Sequence, residues 1–304
     1  MIACMSHGAF EVTDLEGSVS HATEVLGMRE LAREGGTVFL THGPPSPSLE
    51  LRAGPVTTLD HFALLTRGEE AMEQLIARLD AAGVAYDGAP TDPGIEAGVR
   101  VTTPAGHLVD ICLPAIADAP PWALQGQPPY IPSGVRPRRV GHINLSAEDL
   151  EGTADFFVEV LGFRTSDLVI GTDGELRMVF LRCDSLHHDV GISRGPDGMA
   201  HYAFEVDTAQ DLVRLGDLLD LVGRRFRSGP GRHSAGDNIA TYHQEPSQLL
   251  IEVYAEMQRI DDDRWEARRW PITDPRLGSI WGALPELSPL PPTPLAVAGG
   301  VAHA

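Results

Sequence analysis

Cysteine is scarce in this chain: three residues in 304, Cys4, Cys112 and Cys183. They are odd in number, far apart and free of C-x-x-C spacing, which excludes a disulfide framework and suits reduced core thiols in a cytoplasmic protein. Long apolar runs are missing as well. No stretch reaches membrane-spanning length, and the opening MIACMSHGAFEV has neither the basic nor the apolar region of a signal peptide, so no membrane association is expected. Positive charge is the third shortage. Lys plus Arg number 23 against 43 Asp plus Glu, a formal net charge of −20. The basic clusters at 136–139 and 224–232 are small and separated, so phosphate backbones are repelled and nucleic acid is excluded as a partner.

What is present is length enough for two domains and a repeat that supplies them. His7, Asp14, Leu15, Glu16, Gly17, Glu24, Val25, Leu26, Gly27 and Arg29 recur as His142, Asp149, Leu150, Glu151, Gly152, Glu159, Val160, Leu161, Gly162 and Arg164, all at an offset of 135. With small drifts the likeness continues: LDHFALL pairs His61 with His201 in AHYAFEV, and TTPAGHLVDICL pairs Asp110 with Glu252 in YHQEPSQLLIEVY. Each half thus reads as a strand bearing a histidine, a helix that stops at Leu-Gly, less regular strands, a second histidine strand, a second helix and a closing hairpin. The second helices fall at 68–82, carrying Met72, Leu75, Ile76 and Leu79, and at 209–221, carrying Leu212, Leu215, Leu218 and Leu219. The Pro/Ala-rich stretch after Pro114 reads as a linker, and the Pro-dense end as a mobile tail.

The segment 231–256, GRHSAGDNIATYHQEPSQLLIEVYAE, holds the sharpest chemical signal. Glu252 sits in an otherwise apolar strand. A buried carboxylate without a partner is too costly to keep, so it must be protonated, paired or bound to a metal. His142 and His201 occupy strands of the same half, and two imidazoles with one carboxylate form a facial triad suited to Fe(II) and O2. A lone strand histidine is ordinarily a satisfied core residue. These are set apart by their equivalent places in a repeated unit and by the company of His187, His188, His233 and Tyr242. The first half has His7, His61 and Asp110 at the matching places but neither His nor Tyr in 91–103, so it is expected to be a structural copy without metal.

On these residues the sequence resembles the type I extradiol ring-cleavage dioxygenases of the vicinal oxygen chelate superfamily, over about residues 5–285. The resemblance implies an α+β fold of two tandem domains, each of two βαβββ modules forming a partly open mixed barrel. It places them at 1–115 and 137–285, with a linker at 116–136 and a flexible tail at 286–304. By the same likeness His142 in GHINL, His201 in HYAFEV and Glu252 in IEVY are metal ligands for Fe(II), with Mn(II) accepting the same set. In LHHDVGIS, His188 is the acid/base residue, with His187 its rival; His233, Tyr242 and Asp237 face the substrate. The implied partners are a catecholic substrate and O2, the product a muconic semialdehyde, and the assembly a homo-oligomer. Gln248 stands where that family usually has glycine or proline. Two rival readings are a glyoxalase-like isomerase or thiol transferase on the same scaffold, and a non-catalytic small-molecule binder.

Overall fold

A computed structural model describes residues 1–43, 46–115, 134–262, 264–282 and 290–296. The first half runs β1 (Ile2–Val12), α1 (Leu15–Ser20, continued by a π-helical turn His21–Val25), β2 (Arg29–Glu34), β3 (Thr37–Thr41), β4 (Leu49–Ala53) and β5 (Thr58–Thr66). It then continues through α2 (Glu69–Ala82), β6 (Tyr86–Gly88), β7 (Ile95–Thr102) and β8 (Leu108–Pro114). The second half repeats the plan: β9 (Arg139–Ala147), α3 (Leu150–Asp155, with its own π turn Phe156–Val160), β10 (Arg164–Ile170), β11 (Leu176–Arg182), β12 (Val190–Arg194) and β13 (Gly198–Glu205). After it come α4 (Ala209–Leu221), β14 (Ser228–Arg232), β15 (Ile239–Gln244) and β16 (Leu250–Ala255), with short β17 (Arg268–Pro271) and β18 (Trp281–Gly282) added at the sheet edges.

The two sheets have one topology. The first is ordered β2-β3-β4-β1-β5-β8-β7-β6, the second β10-β11-β12-β9-β13-β16-β15-β14 with β17 and β18 outside it. Within each half the central pair β1/β5 or β9/β13 is antiparallel, and each of these strands has a parallel neighbour: β4, β8, β12 or β16. Each half is therefore two βαβββ modules back to back, the α+β arrangement expected, left open between its edge strands.

Local chemistry explains why the repeat is kept at particular letters. Asp14 and Asp149 cap their helices, each carboxylate accepting the amide of the glycine three residues on at 3.0 Å. A Cβ on Gly17 or Gly152 would lie 2.2 Å from the second oxygen of that carboxylate, so with the capping carboxylate in this position only glycine fits beneath it. Helices α2 and α4 bury Met72, Leu75, Leu79 and Leu212, Leu215, Leu219. The turn before β16 places Gln248 at φ 72, the left-handed region where glycine is the usual choice.

One apolar core runs through both halves, including Phe10, Leu51, Phe62, Phe157, Leu181 and Phe204. Each such side chain contributes about 1.5–3 kcal/mol by leaving water. Polar contacts add to the junction: Ser18 donates to Glu245, His21 Nε2 lies 3.0 Å from His243 Nε2, and Tyr202 donates to the Ser48 carbonyl at 2.9 Å. The linker expected at 116–136 falls almost wholly outside the described residues. Part of the expected mobile tail is held in place. Leu59 of the first half bonds the backbone of Pro294 and Ala296, and Met199 of the second bonds Thr293. A Pro-rich sequence hides such pairing because isolated bridges leave no periodic pattern. No helix among the described residues is long and apolar enough to cross a membrane.

Candidate active site

Three strands of the second half bring His142, His201 and Glu252 together. His142 lies on β9, His201 on its antiparallel neighbour β13, and Glu252 on β16, parallel to β13 and opposite Ala203. His142 Nε2 is 3.1 Å from His201 Nε2 and 3.1 Å from Glu252 Oε2; His201 Nε2 is 2.9 Å from the same oxygen. Two imidazole nitrogens and one carboxylate oxygen thus converge on one point. Burial raises the Glu252 pKa, but His142 and His201 more than offset it and hold the group well below its ordinary value, so it is ionised. Burial pushes His142 down, in part against the attraction of Glu252, so it offers a lone pair. An anionic oxygen and two imidazole nitrogens packed this closely are the donor set for Fe(II) or Mn(II), so the residues present fit such an ion.

The surroundings fix these groups. Glu252 Oε1 accepts from Asn238 Nδ2 at 3.1 Å, leaving Oε2 for the convergence point. Tyr254 lays its ring 5.2 Å from that of His142, over a backbone that must be bare: a Cβ on Gly141 would fall 2.4 Å from the Tyr254 ring.

His188 places its ring 4.3 Å from His142 and is wholly buried. Burial, then His142 and His187, press its pKa well below normal, so the imidazole is neutral. His187 lies behind it, 3.2 Å from Asp167, whose carboxylate also accepts from Trp270. Asp189, next in sequence, turns away to Arg139 and the Cys183 amide. Tyr242 stands directly opposite Glu252 across β15/β16. Its hydroxyl is 2.9 Å from His233 Nε2, and His233 Nδ1 lies 2.6 Å from the Gly278 carbonyl. That carbonyl only accepts, so Nδ1 carries the proton and Tyr242 donates to Nε2. Burial and then Glu252 raise the Tyr242 pKa well above 10, so it stays a phenol.

Asp237 does not join the set. Its side chain is 58% exposed and sits 3.6 Å from Arg232, because the backbone there turns through φ 53 and sends the next residue, Asn238, inward instead. Asn238, Tyr254 and Asp167 carry no sequence signal of their own; only alternation about Ile239 could have pointed Asn238 inward. A separate cavity of ≈ 350 Å³, lined by Cys4, His42, Arg67, Arg139, Arg164 and Cys183 among others, touches none of the three convergent residues.

Fold and donor set together define an enzyme of tandem βαβββ modules around a divalent metal. The chain belongs to the Glyoxalase/Bleomycin resistance protein/Dioxygenase superfamily, whose family model matches residues 5–111 and 139–253. It is 27% identical, over 95% of its length and 96% of the relative's, to a manganese-dependent 2,3-dihydroxybiphenyl 1,2-dioxygenase of Geobacillus genomosp. 3. It is 28% identical to a metapyrocatechase of Pseudomonas sp. strain CF600, covering 82% of this chain and 84% of that one. The Mn(II)-bound glyoxalase from Novosphingobium aromaticivorans shares its fold, with a TM-score of 0.81 at 24% identity, covering 97% of this chain and 96% of that chain.

Proposed function

We propose that the protein is an extradiol ring-cleavage dioxygenase: it opens a catecholic ring beside its two hydroxylated carbons, incorporates both atoms of O2 and yields a muconic semialdehyde. The observation that carries this is the convergence of His142, His201 and Glu252 within about 3 Å of one another, with His188 and the Tyr242–His233 pair bordering it. The names of the full-length relatives support the same reading.

His142, His201 and Glu252 would hold the metal, and three protein donors leave room for both catechol oxygens and O2. When bound, the ion supplies acidification of the catechol hydroxyls and activation of O2. The chain's own residues handle protons and orientation. Tyr242, kept a phenol, gives its one proton to His233 Nε2, which leaves the phenolic oxygen free to accept from a catechol hydroxyl. His188, neutral and against His142, accepts a proton and returns it during ring opening. Exclusion of water from this buried group makes each such transfer directional.

Fe(II) is the metal we favour, because two histidines with one carboxylate is the facial triad of non-haem iron oxygenases. The three unpaired thiols fit a reducing cytoplasm. A homo-oligomer would cover the exposed Val213, Leu221 and Val222 of the α4 segment. The test is aerobic incubation of Fe(II)-loaded and Mn(II)-loaded protein with a panel of catechols, following the yellow ring-cleavage product. Loaded protein that colours none of them sinks the proposal. The shared fold of the Novosphingobium glyoxalase favours one second reading, isomerisation without oxygen. Activity that survives strict anaerobiosis would select it.

A further inference from the structure

The first half carries a cluster that the ring-cleavage chemistry does not use. His7 on β1, Glu50 on β4, His61 on β5 and Asp92 in the loop before β7 bring one donor atom each within 4.8 Å of the others. His7 Nε2 is 3.0 Å from Glu50 Oε1 and 3.8 Å from Asp92 Oδ2. His7, Glu50 and His61 are 0, 5 and 5% exposed. All four converging atoms, His7 Nε2, Glu50 Oε1, His61 Nε2 and Asp92 Oδ2, are buried without a hydrogen-bond partner. One such atom is costly and four aimed at one point are not accidental.

The outer nitrogens are already engaged: His61 Nδ1 is 3.0 Å from Asp60 Oδ2, and His7 Nδ1 3.1 Å from Ser6 Oγ. A carboxylate on Nδ1 sets the tautomer that leaves Nε2 as a bare lone pair, the usual support for a metal-bound histidine.

We propose that His7, Glu50, His61 and Asp92 form a second metal site, which takes a divalent first-row cation such as Zn(II) or Mn(II) in a structural role. The expectation of a metal-free first half rested on the lack of His and Tyr in 91–103, with His7, His61 and Asp110 as its three candidate ligands. Asp110 is clamped by Arg100 at 2.5 and 2.6 Å, with its Oδ2 3.4 Å from His61 Nε2. Its place is taken from other elements. In β1/β4 Ala9 faces Glu50, whereas in β9/β12 the equivalent Asn144 faces Gly191, so the second half has no side chain where the first has a carboxylate. Four protein donors close the sphere, as in structural sites, whereas catalytic sites keep a position free.

Metal-stripped full-length protein dialysed against Zn(II), and separately Mn(II), then counted by elemental analysis, tests this without catechol or O2. Wild type should bind two ions per chain, Glu50→Gln one and Glu50→Gln/His201→Ala none. His201→Ala alone should still bind one, and its melting temperature should rise with added Zn(II). That variant leaves the first half untouched, so the test survives misfolding of Glu50→Gln. A His201→Ala protein that binds no ion, or a folded Glu50→Gln that binds as many as wild type, overturns the site and leaves Glu50 and Asp92 sharing a proton. If the wild type binds one ion that Glu50→Gln abolishes, the second site stands and the ring-cleavage reading fails.

Discussion

Among single residues, His188 and His201 separate two kinds of loss. His201→Ala should abolish metal retention in the second half, read by the ion count. His188→Ala should keep the metal while kcat falls roughly 100- to 10,000-fold, the range for losing a general acid/base. If His188→Ala turned over at the wild-type rate, His187 would take the role, although its ring is directed to Asp167. Asn238→Ala removes the donor that orients Glu252 and should weaken Fe(II) affinity about 10- to 100-fold, measured by competition with a chelator. The contrast between Asp237 and Asn238 marks where residue-level reading of the sequence ran out. Both are small polar turn residues, and a single positive φ decides which side chain reaches Glu252 and which faces water.

At the scale of elements, the hairpins β7/β8 and β15/β16 are the same structure with different cargo. Arg100 faces Asp110 in one and Tyr242 faces Glu252 in the other. Arg100→Leu should therefore cost about 3–5 kcal/mol in urea unfolding, because Asp110 would remain buried without its guanidinium. A loss under 1 kcal/mol would mean that His61, 3.4 Å away, suffices as its partner. Helices are legible in the sequence because hydrophobic period and the Asp-Leu-Glu-Gly cap are local signals, and the apolar spacing over 209–221 matches α4 to the residue. Contacts between modules were not. Glu50 and Asp92 lie in a strand and a loop with no motif, and only the register of β4 on β1 brings Glu50 to His7.

For the molecule as a whole, buried neutral histidines set the response to acid. Burial, then Arg224, lowers the His21 pKa to about 4; burial, then Arg139, does the same for His42. Between pH 6.5 and 4 the unfolded chain binds a proton at each site and the folded chain does not. Stability is therefore full above pH 6.5 and falls as pH drops through that window, by about 1.4 kcal/mol per unit for each histidine. Unfolding free energies from urea titrations at pH 7.5 and 5.5 should differ by about 3 kcal/mol from these two alone. His21 meets His243 across the junction of the halves, so acid should loosen that junction early. A flat profile over that range would mean that water reaches these rings.

Gly191 gains a meaning from its counterpart. A residue with no side chain stands in the catalytic half where Glu50 stands in the other, on strands that are otherwise superposable in pairing. After duplication this position sets the copies apart: one turns the Glu50 carboxylate onto His7, where we propose an ion, and in the other the Asn144 amide fills the space, 2.9 Å from where a side chain on Gly191 would begin.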